Sequence, residues 1–155
     1  MPVEYTRDGA NVSPPLTWSS LPDRTRSLAL ICDDPDAPTP APFVHWVLYN
    51  IPPNMTGPGI ERPGLPAGVR RTFRPKEVPR SVQGLNDFGE VGYGGPAPPS
   101  GRGSHRYRFR LYALDTTLDV RESLTKRKLL ADVKGHVLGM GEFTATFSRS
   151  AALPQ

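Results

Sequence analysis

Two carboxylates, two imidazoles and a phenol occupy two short stretches of the 155-residue chain: Asp34-Pro35-Asp36-Ala37-Pro38 followed by His45-Trp46, and Gly94-Gly95-Pro96-Ala97-Pro98-Pro99 followed by His105-Arg106-Tyr107. Pro35 and Pro38 fix φ and push the residues before them toward extended backbone, so the acidic turn is expected to be stiff. Side chains two apart on an extended segment point to one side, which groups Asp34 with Asp36. Several kinds of chemistry are open to such a set. The carboxylates can simply cap backbone N–H groups in Asp-Pro turns, with each histidine a core residue. His45, His105 and His136, with Asp34 or Asp36, could ligate a metal, although the spacings are long and there is no His-x-x-x-His or cysteine pair. The same groups could do general acid–base work in a hydrolase, yet no serine or cysteine stands in a nucleophile context. Finally, a histidine beside a carboxylate has its cationic form favoured and can donate to phosphate, while glycine N–H groups and the Tyr107 hydroxyl reach the same oxygens. Anion binding accounts for acid, base, glycine and phenol together and needs neither a nucleophile nor a cofactor.

The elements that must position these groups read as mainly β. His105 opens an alternating strand in which His105, Tyr107, Phe109 and Leu111 share the apolar face and Arg106, Arg108 and Arg110 a solvated one. Ser27 to Cys32 is continuously apolar, as a strand buried on both faces would be. Val44 to Ile51 is a further strand, with His45, Val47 and Tyr49 on one side and Trp46, Leu48 and Asn50 on the other. Leu16 and Trp18 belong to a short strand. Gly141 to Phe147 closes the fold with Phe143, Ala145 and Phe147 inward. Leu118 to Val137 has helical spacing, with Ser123 as N-cap and Gly135 as terminator. Between Pro52 and Gly103 the chain is mostly loop. There Arg70, Arg71, Arg74, Lys76 and Arg80 form an exposed basic excursion, and Asn86-Asp87-Phe88-Gly89 a turn.

Length fits one domain, 1–155. The 19 prolines and 15 glycines fall between apolar runs, so they are turns of a compact fold and not a low-complexity tract. Net charge is +4 with pI near 9.5, and the arginines are dispersed, so the charge suits an anionic ligand better than nucleic acid. Cys32 is the lone cysteine and lies in a buried run, where an inert thiol is expected. No span reaches transmembrane length and the opening residues have no signal-peptide core, so a cytoplasmic location is expected.

At these residues the chain resembles the phosphatidylethanolamine-binding protein family, in its bacterial and archaeal Raf-kinase-inhibitor-like branch. The carriers are Asp34-Pro35-Asp36-Ala37-Pro38 with His45-Trp46, and Gly92-Tyr93-Gly94-Gly95-Pro96-x-Pro98-Pro99-x-Gly101 with His105-Arg106-Tyr107. Supporting segments are Asn11 to Trp18, Asn86 to Gly89 and Gly135 to Leu138. The resemblance implies a β-sandwich-like domain around a large antiparallel sheet, with a pocket at one end formed by Asp34, Asp36, Pro38, His45, Gly95, Pro99, His105 and Tyr107. It also implies a non-enzymatic protein that takes phosphate or a phosphoethanolamine headgroup and modulates a partner such as a kinase or protease, without a cofactor or metal. The rivals are an Asp/His hydrolase, with or without metal, and a serine-protease inhibitor acting through Arg70 to Arg80.

Departures from the family pattern carry their own expectations. Relatives usually have another strand before the segment that begins here at Pro2. An open sheet edge is then expected to be covered, by a partner subunit in a homodimer or by the N-terminal segment folding back. Residues 69–82 are longer and more basic than usual, Ala97 stands where many bacterial relatives have cysteine, and the extra C-terminal helix of animal members is absent after Arg149.

Overall fold

The computed structural model describes residues 1–56 and 62–149. After a short 3-10 turn at Val3–Tyr5, the elements are β1 (Leu16–Thr17), β2 (Ser27–Asp34), β3 (Phe43–Ile51), β4 (Gly64–Leu65), β5 (Val82–Gln83), β6 (His105–Leu114), α1 (Lys126–Val133) and β7 (Val137–Phe147). They form an antiparallel two-stranded sheet, β1-β4, and an antiparallel five-stranded sheet in the order β5-β3-β2-β6-β7. β2 lies at the centre and is buried along its whole length, because both faces of the large sheet are covered. One face packs Leu28, Leu30, Cys32, Trp46, Leu48, Tyr107 and Phe109 against Trp18, Leu65 and Tyr93. The other packs Ala29, Ile31, Val44, Val47 and Tyr49 against Leu129 and Val133 of α1. Burying each of these two helix side chains contributes about 1.5–3 kcal/mol. Among the described residues no helix is long and apolar enough to cross a membrane.

The alternation expected for β3 fails at two places: around Asn50, at φ +56°, where Leu28 pairs with Ile51 but Leu30 with Leu48, and at His45. Cys32 pairs with Trp46 but Asp33 pairs with Val44, so His45 is an extra residue opposite β2. This bulge puts Val44 on the same face as Val47 and Tyr49 and turns His45 away from them, onto Tyr107. Bulges re-aim a side chain in this way, and period-two counting cannot foresee them.

The arginine face of β6 is not simply solvated. Arg108 Nε, Arg110 Nη2 and Lys126 Nζ lie 2.9, 3.1 and 2.7 Å from the carboxylate of Asp33, which is 0 % exposed. The cluster joins β2, β6 and the first turn of α1. Burial alone would raise the Asp33 pKa, but hydrogen bonds from Arg108 and Lys126 win and hold it below its ordinary range.

The helix is shorter than its apolar spacing suggested. Thr125, not Ser123, caps it, accepting from Lys128 N–H. Residues upstream find tertiary partners instead: Asn50 bonds Leu118 at both N–H and C=O, Ser123 donates to the Gln83 carbonyl, and Leu124 N–H donates to the Tyr49 hydroxyl. Gly135, at φ +85°, ends the turn, and Val137 belongs to β7. On β7 the expected inward Phe143 is instead 48 % exposed, stacked on Phe109 at 4.8 Å. The basic segment 70–80 is anchored as well as exposed. Val78 is buried, Gln83 Nε2 donates to the Arg70 and Thr72 carbonyls, and Arg71 donates to the Tyr93 and Asn11 carbonyls. Among the described residues, the N-terminal segment hydrogen-bonds β7 where the Met1 ammonium donates to the Thr146 carbonyl.

Candidate functional site

β2 and β6 run antiparallel side by side, so the last residue of β2 lies beside the first residues of β6. Asp34 therefore meets His105, and the bulge on β3 adds His45 from the other side. The resulting cavity, about 270 Å³, is lined by Asp34, His45, His105 and Tyr107 together with Pro38, Phe43, Phe88, Pro98 and Pro99. Of the residues expected at a site, Asp34, Pro38, His45, Pro99, His105 and Tyr107 come together here.

Asp36 and Gly95 do not line it. Asp36 is turned to the outside, where Arg106 grips it through its backbone N–H, Nε and Nη2 at 2.8, 3.0 and 2.9 Å. Those bonds bring its pKa down to about 2. The turn explains the divergence, since Asp34 Oδ1 accepts from Asp36 N–H and the segment curls instead of staying extended. Gly95 N–H donates to Asn11 Oδ1 and Gly94 N–H to the His45 carbonyl, so neither is spare for an anion. The glycines serve close approach instead. A Cβ at Gly94 would stand 2.5 Å from the Phe88 ring, and one at Gly95 2.5 Å from the Tyr5 carbonyl oxygen.

Each histidine is oriented by a protein acceptor. His45 Nδ1–H donates to the Gly94 carbonyl at 2.5 Å, and His105 Nδ1–H to Asp34 Oδ2 at 2.7 Å. Among the described residues neither Nε2 nor the Tyr107 hydroxyl has a protein hydrogen-bond partner. The cavity thus presents two ring nitrogens and a phenol. Burial holds the His45 imidazole below its ordinary pKa, against the opposing pull of the Gly94 carbonyl and Asp34. Burial, then Asp34, pushes the Tyr107 phenol up, so it stays a hydroxyl at neutral pH.

The walls include two aromatic rings that the motifs did not single out. Phe43 and Phe88 meet edge to face at 4.8 Å, and both pack on His45, at 5.1 and 5.5 Å. Asn86 and Asp87 build the turn that places Phe88. Asn86 Oδ1 accepts from Phe88 and Glu90 N–H, while Asp87 Oδ2 takes the Val44 N–H next to the bulge. Arg7 backs the ring, its guanidinium 3.6 Å from the centroid. An aromatic at the tip of a polar turn was the available signal for Phe88. His136 lies elsewhere, at the far end of β6, paired with Asp115 at 2.8 Å. The three histidines therefore do not converge, and no group of three or more metal-ligating side chains occurs among the described residues.

Comparison with known proteins agrees with this architecture. The family model for phosphatidylethanolamine-binding protein matches residues 1–148. A UPF0098 protein of Methanothermobacter thermautotrophicus is 48% identical over 152 residues, covering 96% of this chain and 91% of that protein. One from Pyrococcus abyssi is 39% identical over 149 residues, covering 96% and 79%. Among solved structures, a phosphatidylethanolamine-binding protein homologue of Chlamydia trachomatis, CT736, superimposes with a TM-score of 0.81 at 35% identity, covering 96% of this chain and 89% of that one. E. coli YBCL, described as a member of the mammalian family, gives 0.79 at 35% identity, covering 91% and 82%. The chain therefore belongs to the phosphatidylethanolamine-binding protein family, in its bacterial and archaeal branch.

Proposed function

We propose that this protein is a non-enzymatic binding protein whose cavity takes a small oxyanion, a phosphate or phosphoethanolamine headgroup, and that occupancy modulates a partner protein such as a kinase or protease. The observation that supports the reading is that His45, His105 and Tyr107 line one cavity of about 270 Å³ while both histidine Nδ1 atoms are committed to the protein. His45 from β3 and His105 and Tyr107 from β6 would supply polar atoms to ligand oxygens, and Phe43, Phe88 and the prolines an apolar collar. A hydrolytic role finds less support. Thr39, the other hydroxyl on the wall, donates to the Ala41 carbonyl, and Asp34 has both oxygens engaged.

The test is titration calorimetry with O-phosphoethanolamine against the wild type and His105→Ala. Loss of one charge-assisted hydrogen bond weakens binding by about 1.5–3 kcal/mol, roughly tenfold to a hundredfold. Binding that is absent in the wild type, or unchanged in His105→Ala and His45→Ala alike, overturns the reading.

A further inference from the structure

We propose that the cavity binds its ligand as an acid: each oxyanion enters with about one proton, held in the hydrogen bond between a ligand oxygen and Nε2 of His45. The inference rests on the anion reading above and adds the protonation state in which ligand and site meet. A carbonyl oxygen only accepts, so the 2.5 Å contact to Gly94 fixes a hydrogen on His45 Nδ1. The neutral ring then has a bare lone pair at Nε2, and His45 lines the cavity. His45 is 4 % exposed, and that burial favours its neutral form.

The groups around it sharpen the point. From β2, Asp34 brings a buried negative charge with both oxygens occupied, one by Asp36 N–H and one by His105 Nδ1–H. From β6, Tyr107 packs on the ring at 5.2 Å and His105 lines the same cavity. From the N-terminal segment comes Arg7, engaged by Glu90, and from the turn after β5 comes Asp87, engaged by Val44 N–H. A fully ionised oxygen at Nε2 would meet a lone pair with the Asp34 carboxylate close by. A proton at that contact converts repulsion into a charge-assisted hydrogen bond. The proton can arrive on the ligand, since a phosphomonoester has a second pKa near 6, or reach the ring from water. Above the ligand's second pKa, where the free phosphate is mostly a dianion, the complex therefore holds more protons than its separated partners. The ligand class is then an oxyacid able to share a proton with imidazole, such as a phosphomonoester.

Calorimetry with O-phosphoethanolamine near pH 8, where its phosphate is a dianion, in several buffers of different ionisation enthalpy counts the protons. The expected result is uptake of about one proton per ligand, with affinity falling about tenfold per pH unit above neutrality. In His45→Gln, whose amide can place an N–H near the former Nε2, uptake drops by about one proton and the pH profile flattens. Nitrogen NMR on the wild type keeps the test independent of that variant's folding: the His45 Nε2 signal moves toward the protonated range on saturation with phosphoethanolamine. A binding heat identical in every buffer, uptake unchanged in His45→Gln, or a stationary Nε2 signal at saturation overturns this inference and leaves the anion reading intact. Absence of binding removes both.

Discussion

Replacing Asp33 with asparagine tests the support on which the site rests. Asp33 is fully buried and holds three cations, Arg108, Arg110 and Lys126, each with less than a third of its side chain exposed. Asparagine keeps the shape but turns an amide N–H₂ toward one or more of those donors and leaves their charges uncompensated. Breaking a buried ion pair from one side costs about 3–5 kcal/mol. For a chain of this size that lowers Tm by roughly 6–20 °C, at about 2–4 °C per kcal/mol. Urea denaturation should show the midpoint falling with the slope unchanged. The pH dependence has a defined sign. Because the folded pKa of Asp33 lies below its ordinary value, the native carboxylate stabilises the fold above that value. That contribution is lost as pH falls through the folded pKa, so the gap between wild type and variant should close in acid. A loss under about 1 kcal/mol at neutral pH, the range of surface pairs, would mean that Asp33 does not act as a buried counter-charge.

Asp36→Asn should leave phosphoethanolamine affinity near pH 7.5 within about twofold, because the carboxylate points to Arg106 and not into the cavity. A tenfold loss by calorimetry would place it back in the site. The same variant should be less sensitive to acid than the wild type: Asp36, with its pKa near 2, stabilises the native state above the ordinary value of 3.8 and loses that effect between the two. Circular dichroism across that window reads it. Gly94→Ala drives a methyl group into Phe88, displacing a cavity wall, and should cost about 1–3 kcal/mol of stability as well as weakening phosphoethanolamine binding. Wild-type values for both would contradict the close-approach argument.

Much of the fold was legible because β2 and β6 advertise themselves. An unbroken apolar run means two covered faces, and the alternation from His105 through Phe109 survives intact in the inner core. One pocket for Asp34, His45, His105 and Tyr107 came only from the family resemblance, and these four residues line one cavity. What stayed hidden depends on partners distant in sequence. The bulge at His45 exists only in the register between β2 and β3, so local periodicity placed the ring on the wrong face. Asp33 was passed over because its counter-charges lie 75, 77 and 93 residues away. The stretch before Thr125 has helical spacing but finds its hydrogen-bond partners in Asn50, Tyr49 and Gln83, and tertiary bonds displace the helix. The glycines were read as anion donors, whereas their N–H groups are spent on Asn11 and the His45 carbonyl.

If His45, His105 and Tyr107 hold one oxyanion between them, a crystal structure of the protein grown with O-phosphoethanolamine will show it. Phosphate oxygens are expected at hydrogen-bond distance, about 2.6–3.2 Å, from both Nε2 atoms and the Tyr107 hydroxyl, with Asp34 still bonded to His105. Ligand bound at another surface, or a cavity that excludes it at saturating concentration, would overturn the oxyanion-binding proposal.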